Sequence, residues 1–246
     1  MRVEIVSSLA EPVGTLWRKL QSEESGHFFV AASLSSTPLP IYQWIVEHAD
    51  EFSSWEKTQF VLMDEMLEGN KPPFSYIPLS DPASYEGFAQ KHFLTSLQEK
   101  IKITVPVVKP HPDHIESFSK PINLLILALG VHGNYANVMP GTLENTGWHI
   151  AHLTDEFKQA HTQLGSQSYE GARFGEYGMS LGPQQVFSAK NVVVIISGEK
   201  KRELARQLLS YKEFVQDFPL SIIHHPKVSE KTIIYATEDV DIQVVS

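Results

Sequence analysis

Apolar residues fall into two rhythms along this chain. Short runs at positions 2–6, 28–32, 59–63, 103–107, 122–129, 192–196 and 232–235 have the length and composition of strands. The run at 122–129 is nearly unbroken, as in a parallel strand buried on both faces. Between the runs the spacing turns helical. Ile41, Tyr42, Ile45, Val46 and Ala49 lie on one face, with Thr37 as the expected N-cap and Pro38 in the first turn. Tyr85, Phe88, Ala89, Phe93 and Leu97 mark a second helix opened by Asp81-Pro82. Leu204, Ala205, Leu208 and Leu209 mark a third that begins near Gly198.

Such alternation predicts an α/β fold: a doubly wound, mostly parallel, Rossmann-like sheet with helices on both faces. Residues 1–246 are expected to form one domain. Two stretches look inserted. Residues 67–80 are rich in proline and polar side chains. Residues 143–173 are rich in His, Ser, Gly and Gln, with a weak apolar pattern, and are expected to form a lid-like insertion.

Composition narrows the chemistry. With 42% apolar and 20% charged residues, the 246-residue chain has an ordinary globular balance and enough length for a sizeable core. A net charge of −9 without a Lys/Arg stripe argues against a nucleic-acid surface, although one phosphate needs only local positive potential. The absence of cysteine excludes disulfides, thiolate catalysis and Cys-ligated metals. The N-terminus alternates like a strand and has no signal-peptide pattern. No window approaches the roughly 18 apolar residues of a membrane span. A soluble cytoplasmic protein with no membrane partner is the expectation.

In open α/β sheets, ligands sit outside the carboxyl ends of the strands. Four polar clusters each follow an expected parallel strand: Ser33–Thr37, Asp64-Glu65, Gly130–Asn137 and Ser197–Lys201. On parallel strands they would emerge at one edge. Ser35, Ser36 and Thr37 offer hydroxyls and backbone N–H groups to an anion. A single such cluster is ordinarily a plain N-cap. Its repetition before Lys201, an available point charge, shifts the reading toward a phosphate. Asp64 follows Phe60-Val61-Leu62-Met63, where partial burial would raise its pKa toward that of a useful general base. The alternative is a carboxylate capping the next turn, with Glu65 solvated. His132 could transfer protons and Asn134 could bind a hydroxyl, yet a structural histidine fits as well. His149/His152 fall in the insertion, and His224/His225 lead into Pro226 at an expected helix end. Neither metal nor cofactor is expected.

Read in order, these residues resemble the family of glucosamine-6-phosphate deaminases/isomerases and 6-phosphogluconolactonases. Leu34-Ser35-Ser36-Thr37-Pro38-Leu39 is similar to its Thr-Gly-Ser-Thr-Pro phosphate loop, and Met63-Asp64-Glu65 to its Met-Asp-Glu. Asp81–Tyr85, Tyr177–Gly182, Val192–Lys201 and Ser221–Pro226 resemble further segments in register. The resemblance implies a sugar phosphate as partner, held by Ser35, Ser36, Thr37 and Lys201, with Asp64 moving a proton between C1 and C2. It implies weaker contacts from Glu65, Gly130, Gly133 and Arg173, and leaves self-association open.

The chain also departs from the family. Where members read Gly-x-Asp-Gly-His, this one reads Gly130-Val131-His132-Gly133-Asn134, so the histidine credited with ring opening or lactone attack has become Asn134. Met139 replaces the deaminase glutamate, Ser35 the glycine of the phosphate loop. No arginine stands near position 163, leaving Arg173 as the nearest substitute. Asparagine is no base. Three outcomes stand open: His132 takes over proton transfer, the site accepts an already open sugar phosphate using Asp64, or it binds without turnover. The function expected is a sugar-phosphate isomerase or amino-sugar-phosphate deaminase/isomerase. The alternatives are a noncatalytic sugar-phosphate sensor or a 6-phosphogluconolactonase-like hydrolase.

Overall fold

The computed structural model describes residues 1–163 and 172–242, and within them all side chains except those of 160–163. The first strands are β1 (Arg2–Val6), β2 (Phe28–Ala32), β3 (Thr58–Val61), β4 (Asp64–Glu68), β5 (Ser75–Tyr76) and β6 (Val107–Val108). Then come β7 (Leu124–Ala128), β8 (His149–His152), β9 (Tyr177–Ser180), β10 (Asn191–Ile196) and β11 (Thr232–Thr237). The helices are α1 (Ala10–Glu23), α2 (Leu39–Glu47), α3 (Tyr85–Ala89), α4 (Thr95–Ile101), α5 (Asp155–Gln163), α6 (Pro183–Ser188), α7 (Arg202–Ser210) and α8 (Pro226–Ser229). A π-helical segment, Gln90–Leu94, joins α3 to α4.

Seven strands form a wholly parallel sheet in the order β1-β11-β10-β7-β2-β3-β6. From β2 the chain moves outward through β3 to β6, and from β7 it moves the other way through β10 to β11. The strand order therefore reverses between β2 and β7, the crevice where open α/β sheets bind ligands. Every residue of β2 is buried, as are Leu124–Leu127 and Val192–Ile196, so the central strands are covered on both faces.

On one face α1 buries Val13 and Trp17, and α2 buries Ile41, Tyr42 and Ile45. Phe93 is their hub, with the rings of Tyr42, Trp17 and Phe60 at 4.6, 6.0 and 6.2 Å. Each such buried side chain contributes about 1.5–3 kcal/mol. The other face packs Val186, Ala205, Leu208, Leu220 and Ile222 against Leu125, Leu127 and Val194.

A second sheet, antiparallel in the order β5-β4-β9-β8, was not anticipated. It absorbs much of the two apparent insertions. Residues 67–80 hold the end of β4 and its return β5. In 143–173, the described part holds β8 and α5, with Trp148, Leu153 and Phe157 buried in the two cores. The rest of the expected lid, 164–171, lies outside the described residues. Elsewhere the boundaries move. The strand expected at 103–107 begins only at Val107. Neither Thr37 nor Asp81-Pro82 opens a helix. The N-cap of α2 is Pro38, with no side-chain cap. The N-cap of α3 is Ser84, whose hydroxyl accepts the Gly87 N–H at 3.0 Å. Asp81 instead accepts the Ala83 N–H in the turn before it. Among the described residues no helix is long and apolar enough to cross a membrane.

Candidate functional site

The loops after β2, β3, β7 and β10 surround a cavity of about 150 Å³ at the carboxyl edge of the parallel sheet. Ser33 forms a joint where β2 and β7 separate. Its N–H donates to the Ile126 carbonyl at 2.9 Å, while its hydroxyl accepts the Ala128 N–H at 2.8 Å. The Tyr42 hydroxyl donates to the Ser33 carbonyl at 2.6 Å, which ties this joint to α2 and the aromatic core.

Ser35, Ser36 and Thr37 line the cavity. None of their hydroxyls or N–H groups donates to another described residue. The first N–H groups of α2 are occupied: Leu39 donates to the Ser36 carbonyl and Ile41 to that of Pro38. Position 40 is a proline and has no N–H to give. Any anion cradle is therefore the loop itself and not the helix terminus. Lys201, in the 3₁₀ turn before α7, also lines the cavity and makes no ion pair with a described residue. Burial pushes its amine down to about 8.

Asp64 and Glu65, adjacent at the start of β4, point to opposite sides as strand neighbours must. Asp64 lines the cavity, is 6% exposed, and accepts no hydrogen bond from a described residue. Burial and then the neighbouring Glu65 charge raise its carboxyl well above the usual range. Glu65 is not solvated. Its Oε1 accepts the N–H groups of Met66 and Tyr85 at 2.8 and 2.9 Å, and its Oε2 accepts the Ser84 hydroxyl and the Glu86 N–H at 3.0 and 2.8 Å. Burial pushes this carboxyl up, and the four donors pull it back. Glu65 thus occupies the N-terminal donors of α3 and fixes Tyr85, whose side chain forms part of the cavity wall.

The loop after β7 folds on itself. The Gly130 N–H donates to the Asn134 carbonyl at 2.8 Å, and Gly130 has no room for a Cβ, which would lie 2.1 Å from Asn134 Oδ1. Asn134 is buried on the cavity. Its Oδ1 accepts the His132 N–H at 3.3 Å and its Nδ2 donates to the Ala136 carbonyl at 3.2 Å. Gly133 turns the chain with φ +69° while pressed against Phe218. His132 consequently faces solvent and does not line the cavity. Tyr135 does line it, with a buried hydroxyl that has no hydrogen-bond partner among the described residues.

The four loops therefore bring together Ser35, Ser36, Thr37, Asp64, Gly130, Asn134 and Lys201. Glu65 and Gly133 lie behind them as supports, whereas His132 and the exposed Arg173 are elsewhere. Tyr85 and Tyr135 were missed as lining residues, because an aromatic residue at helical spacing or in a loop reads as core. Among the described residues no group of three His, Asp or Glu side chains could hold a metal ion.

Comparison with known proteins gives consistent relatives. The family profile described as glucosamine-6-phosphate isomerases/6-phosphogluconolactonase matches residues 2–234. A glucosamine-6-phosphate deaminase of Lysinibacillus sphaericus is 29% identical over 246 residues, spanning 96% of this chain and 97% of that protein. Another, from Lactobacillus acidophilus, is 24% identical over 225 residues, spanning 89% and 88%. Among solved structures, a monomeric glucosamine-6-phosphate deaminase matches with TM-score 0.76 and 19% identity over 98% of both chains. A 6-phosphogluconolactonase from Thermotoga maritima matches with TM-score 0.65 and 16% identity over 96% of this chain and 99% of that one. At these identities the two structures speak to the fold alone.

Proposed function

Since the chain belongs to the family of glucosamine-6-phosphate isomerases and 6-phosphogluconolactonases, we propose that it is an isomerase or deaminase/isomerase acting on a hexose or hexosamine 6-phosphate. The observation that carries this reading is Asp64: a buried carboxylate that accepts no hydrogen bond from a described residue, set on the wall of the cavity. Such burial is unfavourable for stability alone and characteristic of a group retained for chemistry. Lys201 and the donors of Ser35, Ser36 and Thr37 offer the phosphate a charge and hydrogen bonds.

In this reading the Asp64 carboxylate takes the proton from the carbon beside the sugar's carbonyl. The C–H electron pair becomes a C=C bond, and the carbonyl π pair moves onto oxygen as an enediolate. Returning that proton to the former carbonyl carbon, with proton exchange between the two oxygens, yields the isomer and restores the carboxylate. On a 2-amino sugar the same shift gives a ketimine, to which water adds before ammonia leaves. A cytoplasmic location suits such a metabolic role.

Purified protein incubated with glucosamine 6-phosphate and a panel of hexose 6-phosphates should release ammonia or ketose. Asp64→Asn should lower turnover by about 10²–10⁴-fold while leaving ligand-induced thermal stabilisation in place. Unchanged turnover in that variant would remove Asp64 as the base. Stabilisation without any product in the wild type would favour the sensor reading instead.

A further inference from the structure

Opening a cyclic hemiacetal requires a base for the anomeric hydroxyl proton and an acid for the ring oxygen. Among the described residues, the ionisable side chains lining the cavity are Asp64, Lys201, Tyr85 and Tyr135. Asp64 is needed, ionised, for the carbon proton, and Lys201 faces the phosphate in the reading above. Both phenols are deeply buried, which makes them poor sources of protons near neutrality. The wall formed by residues 130–136 supplies no substitute. Its amide, Asn134, has no titratable proton and is held at both ends by the loop backbone, and its imidazole, His132, faces solvent.

From this arrangement we infer that the site works on the acyclic form of its sugar phosphate and does not itself open the ring. This inference rests on the assignment of Asp64 as base. The substrate class it names is an acyclic sugar phosphate: one that cannot close a ring, or the small open fraction of one that can. A 2-ketopentose 5-phosphate belongs to the first kind, because its phosphate occupies the hydroxyl that would close a five-membered ring. A hexose 6-phosphate belongs to the second and reaches the site only as fast as it opens in solution.

The test has two readouts on the wild-type protein. The first is anomer interconversion of glucose 6-phosphate, followed by NMR magnetisation transfer with and without protein. The second is isomerisation rate against protein concentration, for glucose 6-phosphate and for a 2-ketopentose 5-phosphate. The expected result is unchanged anomer interconversion and a hexose rate that levels off as protein is raised, while the ketopentose rate stays proportional to protein. Accelerated anomer interconversion, or a hexose rate that climbs past the spontaneous opening rate, would overturn the inference and leave Asp64 as base intact. If turnover of either sugar is the same in Asp64→Asn, the assignment of the base fails and this inference falls with it.

Discussion

Lys201 permits a test in which loss of the proposed phosphate-binding group stabilises the free protein. Burial lowers its amine from 10.5 to about 8. At 1.36 kcal/mol per pKa unit, this amounts to a charging penalty of about 3 kcal/mol in the folded state. Residual solvent contact reduces the expected effect to about 1–3 kcal/mol. Because the folded pKa lies below the unfolded one, the penalty is complete below about pH 8, fades as pH rises toward 10.5, and is absent above it. Lys201→Met keeps the length of the side chain and removes the charge. At pH 7 the variant should therefore melt at least about 2 °C higher than the wild type, at roughly 2–4 °C per kcal/mol for a chain of this size. The difference should shrink through pH 8–10.5. Inorganic phosphate at 100 times its dissociation constant should stabilise the wild type by about 2.7 kcal/mol and the variant much less. Thermal melts across this pH range, with and without phosphate, decide the matter. A variant less stable than wild type at pH 7 would show that the folded protein does not penalise the Lys201 charge, and one retaining the full phosphate shift would show that Lys201 does not hold the phosphate.

Two further outcomes follow from the same geometry. Glu65→Ala strands four donors from Met66, Ser84, Tyr85 and Glu86, and should cost about 3–5 kcal/mol in urea denaturation; a loss below about 1 kcal/mol would show that Glu65 does not anchor α3. For a turned-over substrate, kcat/KM should be bell-shaped in pH. Its acid limb, from Asp64 ionisation, should lie above the ordinary carboxylate range, and its alkaline limb, from loss of the Lys201 charge, near pH 8. Lys201→Met should lose the alkaline limb, and an alkaline limb unmoved in that variant would assign it to another group.

The parts of this molecule legible in its sequence are those whose burial leaves a simple pattern. β1 and β2 lie where the apolar runs at 2–6 and 28–32 put them, and β7 and β10 shift by one or two residues at their ends. β2, β7 and β10 are covered on both faces and so read as short continuous apolar runs, whereas β1 has no buried residue and was legible from its alternation. The antiparallel sheet left no such signature. Asp64-Glu65-Met66-Leu67-Glu68 mixes charge with apolar residues, and β5 is only two residues long. The role of Glu65 was hidden because its partners lie about 20 positions further along the chain. At the cavity, Ser35, Ser36, Thr37, Asp64, Asn134 and Lys201 were accessible to reasoning because each follows a parallel strand on the same edge. His132 was misplaced because the left-handed turn at Gly133 separates neighbours that spacing alone would keep together. A loop has no period from which to read a direction.

In the function proposed above, one anionic sugar derivative lies across the reversal point between β2 and β7, with its phosphate at Lys201 and its reactive carbons at Asp64. A crystal structure of the protein with an acyclic hexitol 6-phosphate tests this directly. The expected complex has phosphate oxygens about 3 Å from the Lys201 amine and from donors of Ser35, Ser36 or Thr37, with C1 and C2 against the Asp64 carboxylate. A phosphate bound at any other surface, or a ligand lying with its phosphate at Asp64, would contradict it.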